Sequence, residues 1–546
     1  MEYYPPYSKE SREEYSGIFE YISGESHGIV DGKEVENNRA LNGDIVRVSD
    51  SRVVDVKTRN DKLIIGILHL NTNQKYGFTK KKVPYIKFTS CCGKYPSIIV
   101  PCKKRQTIAM YVAIRFNRWD TNNKHPIGQI EHYIGNVGDN ASETDMLLYL
   151  SGIYPKKIKR TFYDEVLMHT GVDYRTFSID PKGCRDIDDA FHLERKGEKV
   201  EIGIHIANVA RHLESITTNL YSTIYLENGQ INMLDDKHTF QKCSLGNGER
   251  KLALSLILEY SCSSEDKLLN YYFKESVVVN TSYAYTDSNN KIGTLLEFTK
   301  NITGKMEMNS CEMVEYFMIL YNSKVAEKLY KSDAKSETIL RTHTLTNTDS
   351  FSSDSILNKY LELSGMQAAE YCIEPKNTTH QSLSLEYYTH ATSPIRRFVD
   401  IINQHMIISQ IDSSYSWNRD NYSLEISEIN KFGKYLRKFY NSYKKLKLIH
   451  SPIKYENLDA YIIKIKNHRV KIYIPSLEIT YNFELVASRL LNAADIDFRV
   501  VENSDGVSQE AHLNGKSYSL YDKIKINITQ LKYENVFNKK LKITVI

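Results

Sequence analysis

No apolar run reaches about eighteen residues, the least that a spanning helix needs, anywhere in the 546-residue chain. The first ten residues, Met1 to Glu10, are polar and include Pro5 and Pro6, unlike the basic start and apolar core of a secretory signal. Membrane insertion and export are therefore not expected. None of the eight cysteines forms a Cys-x-x-Cys pair, and Cys91 and Cys92 are adjacent, which leaves neither a zinc ribbon nor a disulfide framework. A reducing intracellular setting is expected, cytoplasmic rather than nuclear. Internal repeats and low-complexity tracts are also missing. The net charge of +5 is compatible with a nucleic-acid partner without demanding one.

The length allows about three or four domains. Short β-type runs separated by turns fill residues 12–75 (Ser16–Tyr21, Gly28–Val30 before Asp31-Gly32, Gly43–Val48) and 79–153 (Ile98–Val100, Thr107–Ile114). That spacing suggests two small barrels. Residues 156–449 mix strands with helices: Met313, Phe317, Leu320, Val325 and Leu329 recur at near-helical intervals, and 396–411 follow Pro394 as a helix start. Strands return over 450–546, as in Ala460–Ile463, Val470–Pro475 and Lys523–Ile528. The expected fold class is thus multidomain α+β, in the order β, β, large α/β, β. Between the last two, Lys431–Lys447 holds seven Lys or Arg and no acid, beside an apolar stripe. Two readings stay open for it: a solvated basic face, or a wall facing phosphates.

Four aspartates, Asp180, Asp186, Asp188 and Asp189, fall within ten residues among Phe177, Ile179, Ile187, Ala190 and Phe191. Like charges about 4 Å apart repel by about 4 kcal/mol at an effective dielectric of about 20, and apolar neighbours make that cost hard to shed. A divalent cation is the usual remedy, and hard carboxylate oxygens suit Mg²⁺ or Mn²⁺. The turn Pro181-Lys182-Gly183 folds the chain so that Asp180 approaches the later three. The cluster suits two ions about 3.5–4 Å apart, one activating water and one stabilising a leaving oxygen. A solvated acidic loop is the alternative. An EF-hand fits poorly, lacking its glycine and closing glutamate.

Ser178–Ala190 resembles the signature of the RNB superfamily, the processive exoribonucleases RNase II, RNase R and the hydrolytic subunit of the eukaryotic exosome. Downstream, Ile202–Val209, Ile224–Leu234, Cys243–Leu245 with Arg250, Met313–Met318 and Tyr388–Asp400 resemble its later blocks in register. Asn38–Asp44 is similar to the end of a first cold-shock-type domain. Arg118-Trp119, His125–Gly128 and Ser142-Glu143 are similar to a second one of the exosome type. The resemblance implies two N-terminal OB/cold-shock-type barrels, a large α/β RNB catalytic domain and a C-terminal OB-type barrel. The wording favours the eukaryotic exosome branch, and a start near residue 12 leaves no room for its PIN domain.

By resemblance, Asp180, Asp186, Asp188 and Asp189 carry over as metal-binding and catalytic acids, with Mg²⁺ or Mn²⁺ expected as two ions. Arg396 carries over as the cation that steadies the scissile phosphate, work its planar fork suits. Tyr225 matches an aromatic that stacks on a base near the 3′ end; a core tyrosine is the alternative. Glu315 matches a glutamate of the central helix and is expected at the substrate, with an ordinary helix-surface or salt-bridge role as the alternative, and Arg397 either contacts phosphate or braces the site. His205, His390 and His405 are read as structural. Asn208 stands where the family usually has aspartate, and Gln404-His405 where His-Arg is common. The function implied is metal-dependent 3′→5′ hydrolysis of single-stranded RNA to 5′-mononucleotides by a monomer, with membership of an exosome-like complex left open. A catalytically inactive RNA-binding RNB protein is the alternative, and a DNA exonuclease a third reading.

Overall fold

The computed structural model describes residues 14–22, 26–154, 159–163, 173–262, 267–344, 354–358, 360, 369–375, 377–422, 425–466, 469–484, 499–502, 509–513, 516–531 and 534–546. The polar N-terminus and the expected domain starts at 12 and 156 lie outside them. The chain divides into two compact units, Met1–Tyr154 with Tyr435–Ile546, and Pro155–Lys434.

In the first unit, β1 (Glu14–Tyr21), β2 (His27–Val30), β3 (Lys33–Glu36), β4 (Ile45–Ser49) and β5 (Arg52–Thr58) close a barrel in the order β1-β2-β3-β5-β4. The third and fifth strands run parallel, which is the OB topology. Asp31 and Gly32 both take positive φ at the β2–β3 hairpin, as a two-residue turn requires. Alternation turns Phe19, Val30, Val46, Val48 and Val53 inward, fully buried. A second barrel repeats the topology with β6 (Ile64–Leu68), β7 (Tyr85–Ser90), β8 (Ile98–Pro101), β9 (Met110–Arg118) and β10 (Ile127–Asn136), again with its third and fifth strands parallel. Because β6 pairs with β7 and β9, the seam falls between Thr58 and Ile64. The expected boundary at 75–79 is therefore corrected: it cuts the second barrel.

Helix α1 (Asn140–Ser151) follows, capped by the Asp139 carboxylate on Ser142 N and ended by Gly152 at φ 95°. Its Glu143, 2% exposed, accepts from the Tyr111 hydroxyl (2.9 Å) and pairs with His450 (2.5 Å) and Lys540 (3.1 Å). A buried carboxylate stays charged only when so paired, and these partners hold it below its ordinary value against burial.

The second unit is built on a five-stranded closed barrel. β11 (Lys159–Phe162) pairs with β15 (Leu213–Thr217), and β12 (Tyr174–Asp180), β13 (Asp189–Lys196), β14 (Lys199–Ala207), β18 (Arg250–Ser261) and β19 (Leu268–Ala284) form the barrel. β16 (Ile224–Leu226) and β17 (Gly229–Ile231) make a hairpin, and β20 (Ile339–Thr342) pairs with β21 (Glu370–Ile373). Helices α2 (Asn290–Thr303) and α3 (Ser310–Tyr330) pack on the barrel's apolar cluster through Leu295, Met313, Phe317, Tyr321 and Val325. Asn309 and Glu312 give α3 a capping box. Helix α4 (Phe398–Ile411) is buried from Phe398 to Ile408 on every side, and its polar members Asp400, Asn403, Gln404 and His405 are each hydrogen-bonded there. Helix α5 (Ile426–His450) contains the basic segment and buries Ile429, Phe432, Phe439, Leu446 and Ile449. Several of its cations already have partners: Lys431 with Glu428, Lys434 with Glu370, Lys444 with Glu478, and Lys438 with the Leu150 carbonyl.

C-terminal residues form a five-stranded sheet from β22 (Tyr455–Lys466), β23 (Arg469–Ile474), β24 (Ile479–Glu484), β28 (Lys523–Gln530) and β29 (Leu541–Val545), ordered β24-β23-β22-β28-β29. That is the OB order, open among the described residues between its third and fifth strands. A three-stranded sheet of β25 (Arg499–Glu502), β26 (Gln509–Leu513) and β27 (Lys516–Tyr518) is inserted between β24 and β28.

Candidate active site

Asp180 ends β12, Asp189 opens β13, and the connection carries Asp186 and Asp188. Gly183 takes φ +87° in the turn, a conformation glycine adopts freely. The irregular connection is pinned from one side: Ile187 N donates to Ser244 Oγ (3.0 Å), whose hydroxyl donates to the Arg185 carbonyl (2.8 Å), and Leu245 N donates to the Ile187 carbonyl. Ile187 is buried, so the loop cannot swing out without exposing it.

Asp188, 3% exposed, accepts from Ile395 N (3.0 Å) and from Arg396 Nε (3.1 Å). These two bonds join the acidic loop to the Ser393–Arg397 segment 200 residues later, which buried α4 holds in place: Ser393 N and Arg397 Nη2 both bond the Asp400 carboxylate. Asp186 accepts at Oδ2 from the Tyr225 hydroxyl (2.5 Å) and from Gln230 Nε2 (3.4 Å). Asp180 Oδ2 is buried with no hydrogen-bond partner.

Burial first of all pushes Asp180 up to about 6, aided by the Asp186 charge and opposed by Ser178 and Arg396. It pushes Asp188 up to about 7 against the pull of Arg396 and the Ile395 amide. Asp189 goes up to about 8 through burial and then the charges of Asp180 and Asp188. Three carboxyls held this high at one spot, one with an orphaned oxygen, are the electrostatics of a site short of positive charge. The donor set is all carboxylate oxygen, the chemistry that suits a hard divalent cation, but it is not drawn together: among the described residues, the group of three whose ligand atoms all lie within 4.8 Å of one another is His192, Glu194 and Glu201, not the aspartates.

Arg396 is exposed and aims at this site; Arg397, half-buried, is tied to Asp400 and Thr392, which suits the bracing role. Tyr225 is 39% exposed, so it is no core tyrosine. Glu315 lies exposed on α3, with no hydrogen bond or ion pair to the aspartates or Arg396 among the described residues. His205 bonds His192 (2.7 Å) and Ser255 (2.7 Å), His390 bonds Tyr371 (2.6 Å), and His405 bonds Tyr415 (2.6 Å) and stacks on Trp417. Burial holds all three below the ordinary histidine value, as structural histidines. The amide of Asn208 donates to Glu275 Oε1 (2.7 Å), a place where aspartate would meet a like charge. Gln404 clamps the chain after β14, accepting from Val209 N and Ala210 N and donating to the Ala207 carbonyl. Sequence reading missed Gln230, Ser244 and the Ile395 amide. Gln230 lies in a block already matched, but only the folded hairpin brings it to Asp186.

Comparison with known proteins agrees with this geometry. The RNB domain family matches residues 171–297 and 286–412, and the Dis3-like cold-shock domain 2 (CSD2) family matches 85–152. The exosome complex exonuclease RRP44 of Mus musculus is 22% identical over 644 aligned residues, covering 95% of this chain and 66% of the relative. The chain thus spans somewhat less than two thirds of that curated relative's length. Among solved structures, Mycoplasma genitalium RNase R in complex with ribose-methylated single-stranded RNA superposes with a TM-score of 0.69 at 14% identity, covering 97% of this chain and 100% of that one. Yeast Ssd1, a pseudonuclease, superposes at 0.57 with 16% identity over 91% of this chain and 81% of its own. The fold is therefore shared by proteins with and without nuclease activity. With its acidic loop and arginine segment in order inside the matched region, the chain carries an RNB domain over residues 171–412, behind a Dis3-like cold-shock domain 2 over 85–152.

Proposed function

We propose that this chain is a metal-dependent exoribonuclease that hydrolyses single-stranded RNA from its 3′ end, processively, to 5′-mononucleotides. The observation that carries the reading is the complete quartet, Asp180, Asp186, Asp188 and Asp189, with Asp186 and Asp188 buried, an unpartnered oxygen on Asp180 and Arg396 bonded to Asp188. The four carboxylates would hold two Mg²⁺ or Mn²⁺ ions, which supply Lewis-acid activation of water and neutralise the leaving oxygen. Arg396 supplies a fixed cation for charge that develops on the phosphate, a service worth most where water is excluded. The exposed ring of Tyr225 offers a face to the 3′-terminal base, and stacking of that kind does not depend on sequence. Grip on phosphate, 2′-hydroxyl and base faces makes the enzyme specific for RNA but not for its sequence. The relatives' names, an exosome exonuclease and an RNase R bound to single-stranded RNA, support the same substrate.

An inactive RNA-binding role has a precedent of the same fold in Ssd1. Against it stands the quartet itself, since such a protein gains nothing from gathering four carboxylates, two of them buried, in one loop. The test is digestion of 5′-end-labelled RNA and DNA of one sequence with Mg²⁺ or Mn²⁺. RNA should shorten from its 3′ end with release of 5′-mononucleotides while DNA persists. RNA bound but uncut in either metal would establish the inactive reading, and equal loss of DNA the third one.

A further inference from the structure

The hairpin of β16 and β17 places Tyr225 directly opposite Gln230, so both side chains leave the same face. Both direct a donor at one atom, Asp186 Oδ2: the Tyr225 hydroxyl at 2.5 Å and the Gln230 amide at 3.4 Å. Gln230 is itself oriented by Asn232 Oδ1 (2.6 Å), which is in turn tied to Asp236 through Asn232 Nδ2 (2.7 Å). The same hairpin is fastened at its root to the arginine segment. Thr223 N donates to the Arg396 carbonyl (3.0 Å), Phe398 N donates to the Tyr221 carbonyl (3.1 Å), and Ser222 bridges Arg397. It is therefore a strut between the two halves of the site, its backbone registered by Arg396 and its side chains registering Asp186.

We propose that Tyr225 and Gln230 are positioning residues for the metal ligand Asp186. The residue whose ring is offered to the terminal base thereby also sets, through its hydroxyl, how tightly the site holds its ion. Two donors on Oδ2 fix the plane of the carboxylate, while Oδ1 accepts from the weak Cys184 thiol (3.7 Å). Without them Asp186 is free to rotate, and outer partners of this kind are worth about 10–100-fold in metal affinity. The inference rests on the four aspartates being a metal site.

Tyr225→Phe separates the two roles, since it keeps the ring and removes only the hydroxyl; at 39% exposure the change leaves packing intact. Mn²⁺ binding to the metal-stripped full chain is measured by titration calorimetry for the unmodified protein, Tyr225→Phe, Tyr225→Ala, Gln230→Ala and Asp188→Asn, and RNA binding in EDTA by fluorescence anisotropy. Tyr225→Phe should weaken Mn²⁺ binding about tenfold or more while RNA affinity in EDTA stays within about twofold, because stacking belongs to the ring. Tyr225→Ala should weaken both, and Gln230→Ala should weaken Mn²⁺ binding alone. If Asp188→Asn abolishes Mn²⁺ binding while Tyr225→Phe binds it as tightly as the unmodified protein, the strut is refuted and the metal site stands. If the unmodified protein binds no Mn²⁺, or Asp188→Asn binds it equally well, the metal site falls and the strut with it.

Discussion

Arg396 spends only its Nε on Asp188, and its two terminal nitrogens have no partner among the described residues. A guanidinium anchored at one edge and open at the other is prepared to meet charge that appears during reaction. Arg396→Ala should lower turnover at saturating RNA by about 10²–10³ and weaken RNA binding less than about tenfold, because the gain lies in the transition state. Unchanged turnover with weakened binding would make it a tether. Asp189 gives a second test. Folded and metal-free, its carboxyl titrates up near 8, against an ordinary value of about 3.9 when unfolded. The folded state then binds the extra proton between those limits, so stability present at low pH is lost as pH rises toward 8. Asp189→Asn cannot ionise. Without metal it should melt several degrees above the unmodified protein at pH 8 and close to it at pH 5. Mg²⁺ should raise the melting temperature of the unmodified protein at pH 8 and that of the variant far less. A variant no more stable at pH 8 would mean the carboxyl is not strained as described.

Among the elements, α4 matters most, because its burial fixes the arginine segment and its Gln404 fixes the turn after β14. Gln404→Ala would take the partner from the buried Ala210 amide, while the Val209 amide and the Ala207 carbonyl keep their bond to each other; one stranded buried group costs about 1–3 kcal/mol. Urea unfolding should show a loss of at least that size; a midpoint unmoved would mean water or a neighbour replaces the amide. Much of this level was legible in the sequence. α3 and α4 followed from apolar spacing and from Pro394, and the strand–turn–strand around the aspartates from Pro181-Lys182-Gly183. The seam of the barrels was not, since Ile64–Leu68 looks the same whichever barrel it joins and its partner β9 lies over forty residues away. Lys431–Lys447 gave its helix and stripe, but its ion pairs depend on Glu370 and Glu478, remote in the chain. Likewise the quartet and Arg396 could be named, while the Gln230 and Ile395 contacts to them arise only from folding.

Over the whole molecule, the sequence order is two OB barrels, the barrel of the RNB domain and a sheet in OB order, with Glu143 binding Tyr111, His450 and Lys540 inside the first unit. Ser142-Glu143 was visible as a motif, yet its partners at 111, 450 and 540 were not, being separated along the chain. The central claim is that the aspartate quartet serves hydrolysis of RNA at a free 3′ end. Asp186 and Asp188 are 8% and 3% exposed, a depth suited to a strand end rather than to a continuous loop of chain. One measurement addresses this directly: linear and circular forms of one single-stranded RNA are incubated with Mg²⁺ and either the unmodified protein or Asp188→Asn. The linear form should be converted to 5′-mononucleotides by the unmodified protein and remain whole, though still bound, with Asp188→Asn, while the circle survives both. Cutting of the circle that disappears with Asp188→Asn, or near-normal degradation of the linear form by Asp188→Asn, would contradict the account.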